Sequence, residues 1–421
     1  MISSAPIASI DGPAAARRRG RAVAFMVGVA VACLVLSVAY LSLWQDNRDG
    51  LKHRIGRDFI NIWTASWLIE RQRGLEIFDA ERFQAAGRRI MGPASPAAVW
   101  SGPPHALLLT LHLTNLRYAG AFLVWSAAGL LLFLAAARQF WPSWPLLLAL
   151  LAAPSTFANL LLGQNGFFTA ALCLAGFALL RPRPIVAGLL FGLLSFEPYL
   201  VPLIPVALVA GRHWLTIAAT AVGAMAVIGT SIGLFGIEAW QRYLDTTLPR
   251  QLGLLAEAGG PEPSLATSYL MAGRLLGLPP GLGLAVQAMI AMAAAILVYR
   301  VFRGRADWRL RVSVLLVAAL VASPLAASHD LAYATVALGC LTTLAVADGW
   351  RRGEMLTAAV AWTLPIAAML FNALGAPLSP LVLTALLLYL ARRALLDGPA
   401  PGPEDAGHGI AETTPGRLPD H

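Results

Sequence analysis

Charge is scarce in this chain. Of 421 residues only 13% are Asp, Glu, Lys or Arg, and 58% are hydrophobic, with a mean hydropathy of +0.68. A soluble domain of ordinary composition carries about a quarter charged residues, so the shortage excludes a soluble globule and implies an integral membrane protein with many spans. Cysteine is nearly missing as well. Cys33, Cys173 and Cys340 lie far apart, each inside an apolar run, which excludes a disulfide framework and a thiolate metal site and leaves them as small buried hydrophobes. No metal-ligand spacing and no Gly-rich nucleotide loop is present, so neither a metal nor another cofactor is expected. Lys and Arg outnumber Asp and Glu by 31 to 22, yet no basic patch with interleaved aromatics occurs. The basic residues sit at the ends of apolar runs, a pattern of membrane topology and not of nucleic-acid binding. No internal repeat is visible, which weakens a transporter built from repeated halves.

What is present reads as an all-α, polytopic transmembrane helical bundle of about 10–12 spans. Residues 1–21 form a polar N-terminus, expected to be disordered and cytoplasmic, that ends in an arginine cluster, Arg17, Arg18, Arg19 and Arg21. The apolar segment that follows, about 22–44, is too long for a secretory signal core and lacks a small-residue cleavage site, so it reads as a retained first span. The transmembrane domain extends over 22–396 and includes a long first external loop, 45–117, and another at 236–280. Helical patterning marks 61–73 and 79–90 in the first loop; the run His105 to Leu113 is too short to span and reads as interfacial or re-entrant. Further spans are expected at 118–138, 144–161, 166–180, 214–235, 281–302, 309–325, 355–372 and 378–395, with one more ending near Arg351-Arg352. Two half-length runs, 184–196 and 199–210, hinge at Phe196-Glu197-Pro198. At about 18 Å each they cannot cross a core of about 30 Å, so they predict a cytoplasmic hairpin with its apex inside the membrane beside an outward-facing cavity. Residues 397–421, rich in Gly, Pro and acids, read as a disordered cytoplasmic tail. This count places the short-loop arginines inside. Asp58, Gln164, Asn165, Glu197, His329 and Asp330 then converge on the outer side.

Each of these polar residues has a structural and a functional reading. Asp58 could cap the helix beginning near Phe59, act as a general base, or do both. His329 and Asp330 are either a solvated interfacial pair, with Asp330 capping the next helix, or a site in which His329 donates to a phosphate oxygen. Gln164-Asn165 forms a polar turn, or its amides bind a sugar or orient the Asp58 loop. Glu197 is a functional candidate because a carboxylate at membrane depth is costly, unless it pairs with a cation or rises to the interface. Arg274 either binds a lipid phosphate or snorkels. Trp63, Trp67, Trp100 and Trp125 fit an interfacial belt better than sugar-stacking platforms.

Five stretches occur in a familiar order and spacing: Arg57-Asp58-Phe59 after the first span, Pro103-Pro104, the run from Leu161 to Ala170 through Gly163-Gln164-Asn165-Gly166, Ala187 to Pro198, and Ser323-Pro324 to Ser328-His329-Asp330. Over about residues 50–345 the chain resembles bacterial glycosyltransferase family 87. The resemblance implies a GT-C fold in the plasma (inner) membrane, with both termini cytoplasmic. It also implies inverting transfer of mannose or arabinofuranose from a polyprenyl-phosphate donor to a lipid or polysaccharide acceptor on the outer face, with no nucleotide sugar and no essential metal. Asp58 matches the family's first-loop aspartate, its general base, and His329 the late-loop histidine; Arg57, Gln164, Asn165, Glu197, Arg274 and Asp330 are the expected substrate-binding residues. Glu197 departs from the family, which commonly has lysine before this proline. A carboxylate there repels the donor phosphate unless Arg274 or His329 compensates. The departure keeps two alternatives open: a transporter or flippase of a lipid-linked sugar with Glu197 as its proton or cation site, and a catalytically silent relative.

Overall fold

The computed structural model describes residues 56–92, 99–140, 144–256 and 267–396, together with a few helical positions between 24 and 39. The N-terminal arginine cluster, most of the first span, residues 45–55 and the tail from 397 lie outside the described residues, and so do the expectations attached to them. Among the described residues all regular structure is helical. In chain order the helices are α1 (Phe59–Glu70), α2 (Ala80–Met91), α3 (Tyr118–Phe140), α4 (Trp144–Leu151), α5 (Pro154–Leu162), α6 (Gly166–Leu179), α7 (Pro184–Leu193), α8 (Leu203–Ala210), α9 (Trp214–Phe235), α10 (Ile237–Arg242), α11 (Leu248–Ala256), α12 (Tyr269–Leu275), α13 (Pro280–Arg303), α14 (Trp308–Ala322), α15 (Ala332–Asp348), α16 (Glu354–Ala373) and α17 (Ser379–Leu396). Short 3-10 turns link several of them, including Pro104–Thr110, Leu194–Phe196 and Ser328–Leu331.

The protein is a polytopic helical membrane protein. By length and composition five helical segments can cross a bilayer: Tyr118–Phe140, Trp214–Phe235, Pro280–Arg303, Ser328–Asp348 and Ser379–Leu396. Gly166–Leu179, Pro184–Phe196 and Glu354–Ala368 are apolar but shorter, so the expected total of 10–12 spans counts several elements of less than full length. Burial sorts the long helices. The apolar window of Ser328–Asp348 is 72% buried and that of α9 only 17%, which makes α15 the central helix and puts α9 on a rim, with most of its apolar side chains uncovered among the described residues.

Residues 144–161, expected as one span, are two helices. Pro154 cannot continue the helix before it, and it forces Ala153 into an extended conformation at φ −69° and ψ 138°. Pro154 then opens α5 from the first helical turn, where its missing N–H costs nothing. The out-and-back course expected of residues 184–210 is present. The chain leaves Arg181-Pro182-Arg183 through α7, turns at Leu194–Phe196, and returns through α8 to Gly211-Arg212-His213. α7 also carries Gly188 and Gly192 into the face of α9, where a Cβ on Gly188 would lie 2.5 Å from the Thr216 carbonyl.

One ion pair is buried away from the Asp58 and Asp330 turns. Arg393, 3% exposed, donates from Nε and Nη2 to the two oxygens of fully buried Glu354, both at 2.8 Å, and from Nη2 to the Gly349 carbonyl at 2.9 Å. The bidentate geometry holds the end of α17 to the start of α16. Cys173 and Cys340 are buried in the main apolar cluster, and Cys33 is buried too.

Candidate active site

The turn that carries Asp58 is fixed by backbone contacts with a distant part of the chain. Gly56 N donates to the Leu161 carbonyl at 2.8 Å and Asp58 N to the Leu162 carbonyl at 3.1 Å, while the Tyr118 hydroxyl donates to the Gly56 carbonyl at 2.9 Å. Two glycines permit this approach. Gly56 (φ +68°) and Gly163 (φ +70°) occupy the left-handed region, and a Cβ on Gly163 would stand 2.6 Å from Cβ of Phe59. Phe59 completes the joint, fully buried among Tyr118, Phe122 and Trp125.

The Asp58 side chain does not cap α1, although it stands at the N-cap position. Its backbone is already helical there, at φ −87° and ψ −29°, whereas a capping residue usually has extended backbone that turns its side chain over the first N–H groups. Instead Asp58 Oδ2 accepts from Gln164 Nε2 at 2.7 Å. The other carboxylate oxygen has no hydrogen-bond partner among the described residues.

The next residue, Asn165, donates through Nδ2 to Oε1 of Glu197 at the hairpin apex. Tyr199, two residues after Glu197, lines a cavity with it, and Asp330 Oδ2 accepts from Ala327 N at 3.0 Å. Asp330 thus reaches back over the start of its own helical turn, as the capping reading holds. His329 Nε2 lies 3.6 Å from Asp330 Oδ1. The carbonyl of His329 accepts from buried Asn159 Nδ2 at 2.6 Å, and a Cβ on Gly166 would come within 2.8 Å of the same oxygen. Neutral amides from α5 and from the turn after it thus hold Asp58, Glu197 and the His329 turn. Glu197 pairs with a neutral donor, not with a cation.

These residues surround one cavity of about 390 Å³. Its walls include Asp58, Asn61, Trp100 to Pro103, Gln164, Asn165, Phe196 to Tyr199, Tyr243, Gln251 and His329. Five of the residues singled out from sequence, Asp58, Gln164, Asn165, Glu197 and His329, share it. Asp330 lies just behind, 3% exposed. Arg57 occupies the Asp58 turn, half-buried, without lining the cavity. Arg274 is not in the walls either; its guanidinium donates to the Leu255 carbonyl at 2.5 Å and lies 3.4 Å from the Met271 sulfur. Among the described lining residues His329 is the only one able to carry positive charge.

Asn61, Trp100, Tyr199, Tyr243 and Gln251 line the cavity without having been singled out as ligands. Trp100 (7% exposed) and Trp125 (6%) are buried and so are not belt residues. Three lining residues, Asn61, Trp100 and His329, each hold a buried polar atom with no hydrogen-bond partner: Oδ1, Nε1 and Nδ1. The sequence signal was available for Tyr199, which stands two residues after Glu197 in the same hinge.

An apolar groove of about 460 Å³ lies on the other side of Phe196, which belongs to both spaces. Leu108, Leu109, Leu132, Phe168, Leu172, Leu190 and Leu193 form most of it. At its edge His105 stacks on Trp240 with ring centroids 5.6 Å apart and 8° between planes, and its Nε2 is 3.0 Å from Ser195 Oγ. Burial holds the His105 imidazole below its ordinary range.

Residues 100–328, more than half of the chain, match the family model described as Glycosyltransferase family 87. The matched stretch contains Gln164, Asn165, Glu197 and Arg274; Asp58 lies before it and His329 directly after it. No protein of curated function and no solved structure matches the chain.

Proposed function

The chain belongs to glycosyltransferase family 87, and from that premise we propose that it moves a sugar from a polyprenyl-phosphate donor to a lipid or glycan acceptor, with inversion, in the cavity beneath Asp58. The observation that carries this reading is the shared Phe196 wall: a polar cavity bounded by a carboxylate and an imidazole abuts an apolar groove. A lipid-linked sugar has this division of chemistry. Its prenyl chain lies along the leucines of the groove and its sugar occupies the cavity, satisfying Asn61 Oδ1 and Trp100 Nε1.

Asp58 takes the proton from the acceptor hydroxyl as that oxygen attacks the anomeric carbon. Gln164 holds one carboxylate oxygen and leaves the second to receive the proton. The bond from the anomeric carbon to the phosphate oxygen breaks on the opposite face, and polyprenyl phosphate departs toward His329, whose Nδ1 stabilises it. Arg274, engaged with the Leu255 carbonyl, has no part in this reading, so the leaving-group role falls to His329. Glu197 is held by Asn165 and serves to shape the cavity, standing in place of a phosphate-binding cation. We place the reaction on the outer face of the plasma membrane, opposite the arginine-rich turns.

The test is reconstituted protein given radiolabelled polyprenyl-phosphate mannose or arabinofuranose. Release of polyprenyl phosphate with label on an acceptor supports the reading. Intact donor moved across the vesicle points to a flippase, and intact unmoved donor with both sugars points to a silent relative; either result rejects it.

A further inference from the structure

A second cavity, of about 260 Å³, lies at the other end of the bundle, lined by Arg181, Arg212, His213, Arg303, Trp308 and Arg311 among others. Its position follows from two helices. α6 starts at the Asn165 turn in the first cavity and ends beside Arg181, and α14 starts beside Arg311 and ends toward the His329 turn. With 14 and 15 residues, each helix is about 21–23 Å long, so the two cavities are separated by that distance along the bundle axis.

Arginines at helix ends fix topology and need no pocket for it. Arg183, Arg300 and Arg305 are of that kind and do not line the cavity. The lining residues are arranged differently, since they arrive from four separate parts of the chain and several are held in place. Arg311 donates from Nε to the Ala306 carbonyl at 2.7 Å and from Nη1 to the Phe302 carbonyl at 3.5 Å. Arg181 sits over the Trp308 ring, 5.5 Å from its centroid. Arg212 takes a left-handed backbone, φ +57°, uncommon for a residue with a side chain. Its neighbour Gly211 leaves room for His213, whose ring a Cβ would meet at 2.6 Å. None of the four arginines forms an ion pair among the described residues. The nearby carboxylate, Asp307, caps α14 by accepting from Arg309 N at 2.9 Å. Burial, and then the charge of Arg181, hold the His213 imidazole below its ordinary range, as expected where positive charge is concentrated.

We propose that this pocket binds the phosphate headgroup of an anionic membrane lipid, on the face of the membrane opposite the active-site cavity. The surroundings favour a lipid over a soluble anion. The pocket sits at the start of α9 and the end of α13, two of the helices long and apolar enough to span, and Trp214 and Leu215, 62% and 56% exposed, flank it. An acyl chain continues along that uncovered apolar surface while the phosphate meets the guanidinium groups. Basic pockets between spanning helices on the cytoplasmic side recognise headgroups by this combination.

The full chain, carried in nanodiscs of phosphatidylcholine with phosphatidylglycerol and read by native mass spectrometry, tests the assignment. Arg181→Gln with Arg212→Gln should weaken retention of phosphatidylglycerol roughly 30-fold, at about fivefold per arginine. The charge-matched control, Arg183→Gln with Arg300→Gln, should retain it. Equal loss from both pairs would show that general charge and not the pocket attracts the lipid, and no loss from the first pair would also overturn the proposal. In phosphatidylcholine-only discs, titration with inorganic pyrophosphate separates the sources: saturation at micromolar concentration, abolished by the first pair, would assign the pocket to a soluble anion instead.

Discussion

The two ends of α6 and α14 carry opposite chemistry. At one end the walls are carboxylates, amides, phenols and an imidazole, and Asp58, Glu197 and Gln251 are each held by a hydrogen bond to a partner far away in sequence. At the other end they are guanidinium groups, and the contacts that fix Arg311 and Arg181 come from the protein's own carbonyls and a tryptophan. The difference teaches that the arginine pocket places positive charge where it can meet an anion, while the other cavity places acceptors and a base where a hydroxyl can lose a proton. In the proposed transfer a lipid-linked sugar brings its phosphate into the active-site cavity, where His329, the only described lining residue able to turn positive, is the group assigned to receive it.

The comparison can be broken most sharply at the base. Asp58→Asn keeps the shape of the Gln164 contact and removes the proton acceptor, so turnover of labelled donor should fall roughly 10²- to 10⁴-fold with donor binding retained; turnover within a factor of three of the unmodified protein would remove Asp58 from this role. Next in size is a change at the opposite end that should leave chemistry alone. Glu354→Gln removes the one fully buried carboxylate partner of Arg393, leaving it the Gly349 carbonyl and the exposed Asp348 at 3.7 Å, and should cost up to about 3–5 kcal/mol of stability, seen as a lower melting temperature with an unchanged kcat at low temperature. Gly166→Ala places a methyl group against the His329 carbonyl and the Asn159 side chain. Overpacking there should cost about 1–3 kcal/mol and should also reduce kcat, because the His329 turn moves. An effect of similar size is expected from Gln164→Ala: loss of one hydrogen bond to a charged group, about 1.5–3 kcal/mol where it orients the base, should appear in kcat more than in KM.

Much of this architecture was legible before any coordinates. Apolar runs gave the bounds of α9, α13 and α17 closely, because a helix in lipid must satisfy its own backbone and so follows the run from end to end. The half-length hairpin was legible for the same reason, since 13 apolar residues cannot reach across. Pro154 was read too leniently: a proline within a long apolar run was taken inside a span, and the extended residue it requires before it makes two helices of one. At the site, alternation of polar turns brought Asp58, Gln164, Asn165, Glu197 and His329 to the same end. Composition could not show which of them touch. The Gln164–Asp58 and Asn165–Glu197 contacts depend on the approach of the α5–α6 turn, set by Gly56 and Gly163, and the Leu255 carbonyl that Arg274 meets 19 residues earlier leaves no trace in spacing.

The opposition of the two ends can be measured directly by labelling single-cysteine variants in sealed vesicles with a membrane-impermeant maleimide; the three native cysteines are buried. Asp58→Cys and His329→Cys are expected to react from the same side of the membrane, and Arg212→Cys from the other. Modification of Asp58→Cys and His329→Cys from opposite sides would contradict the account.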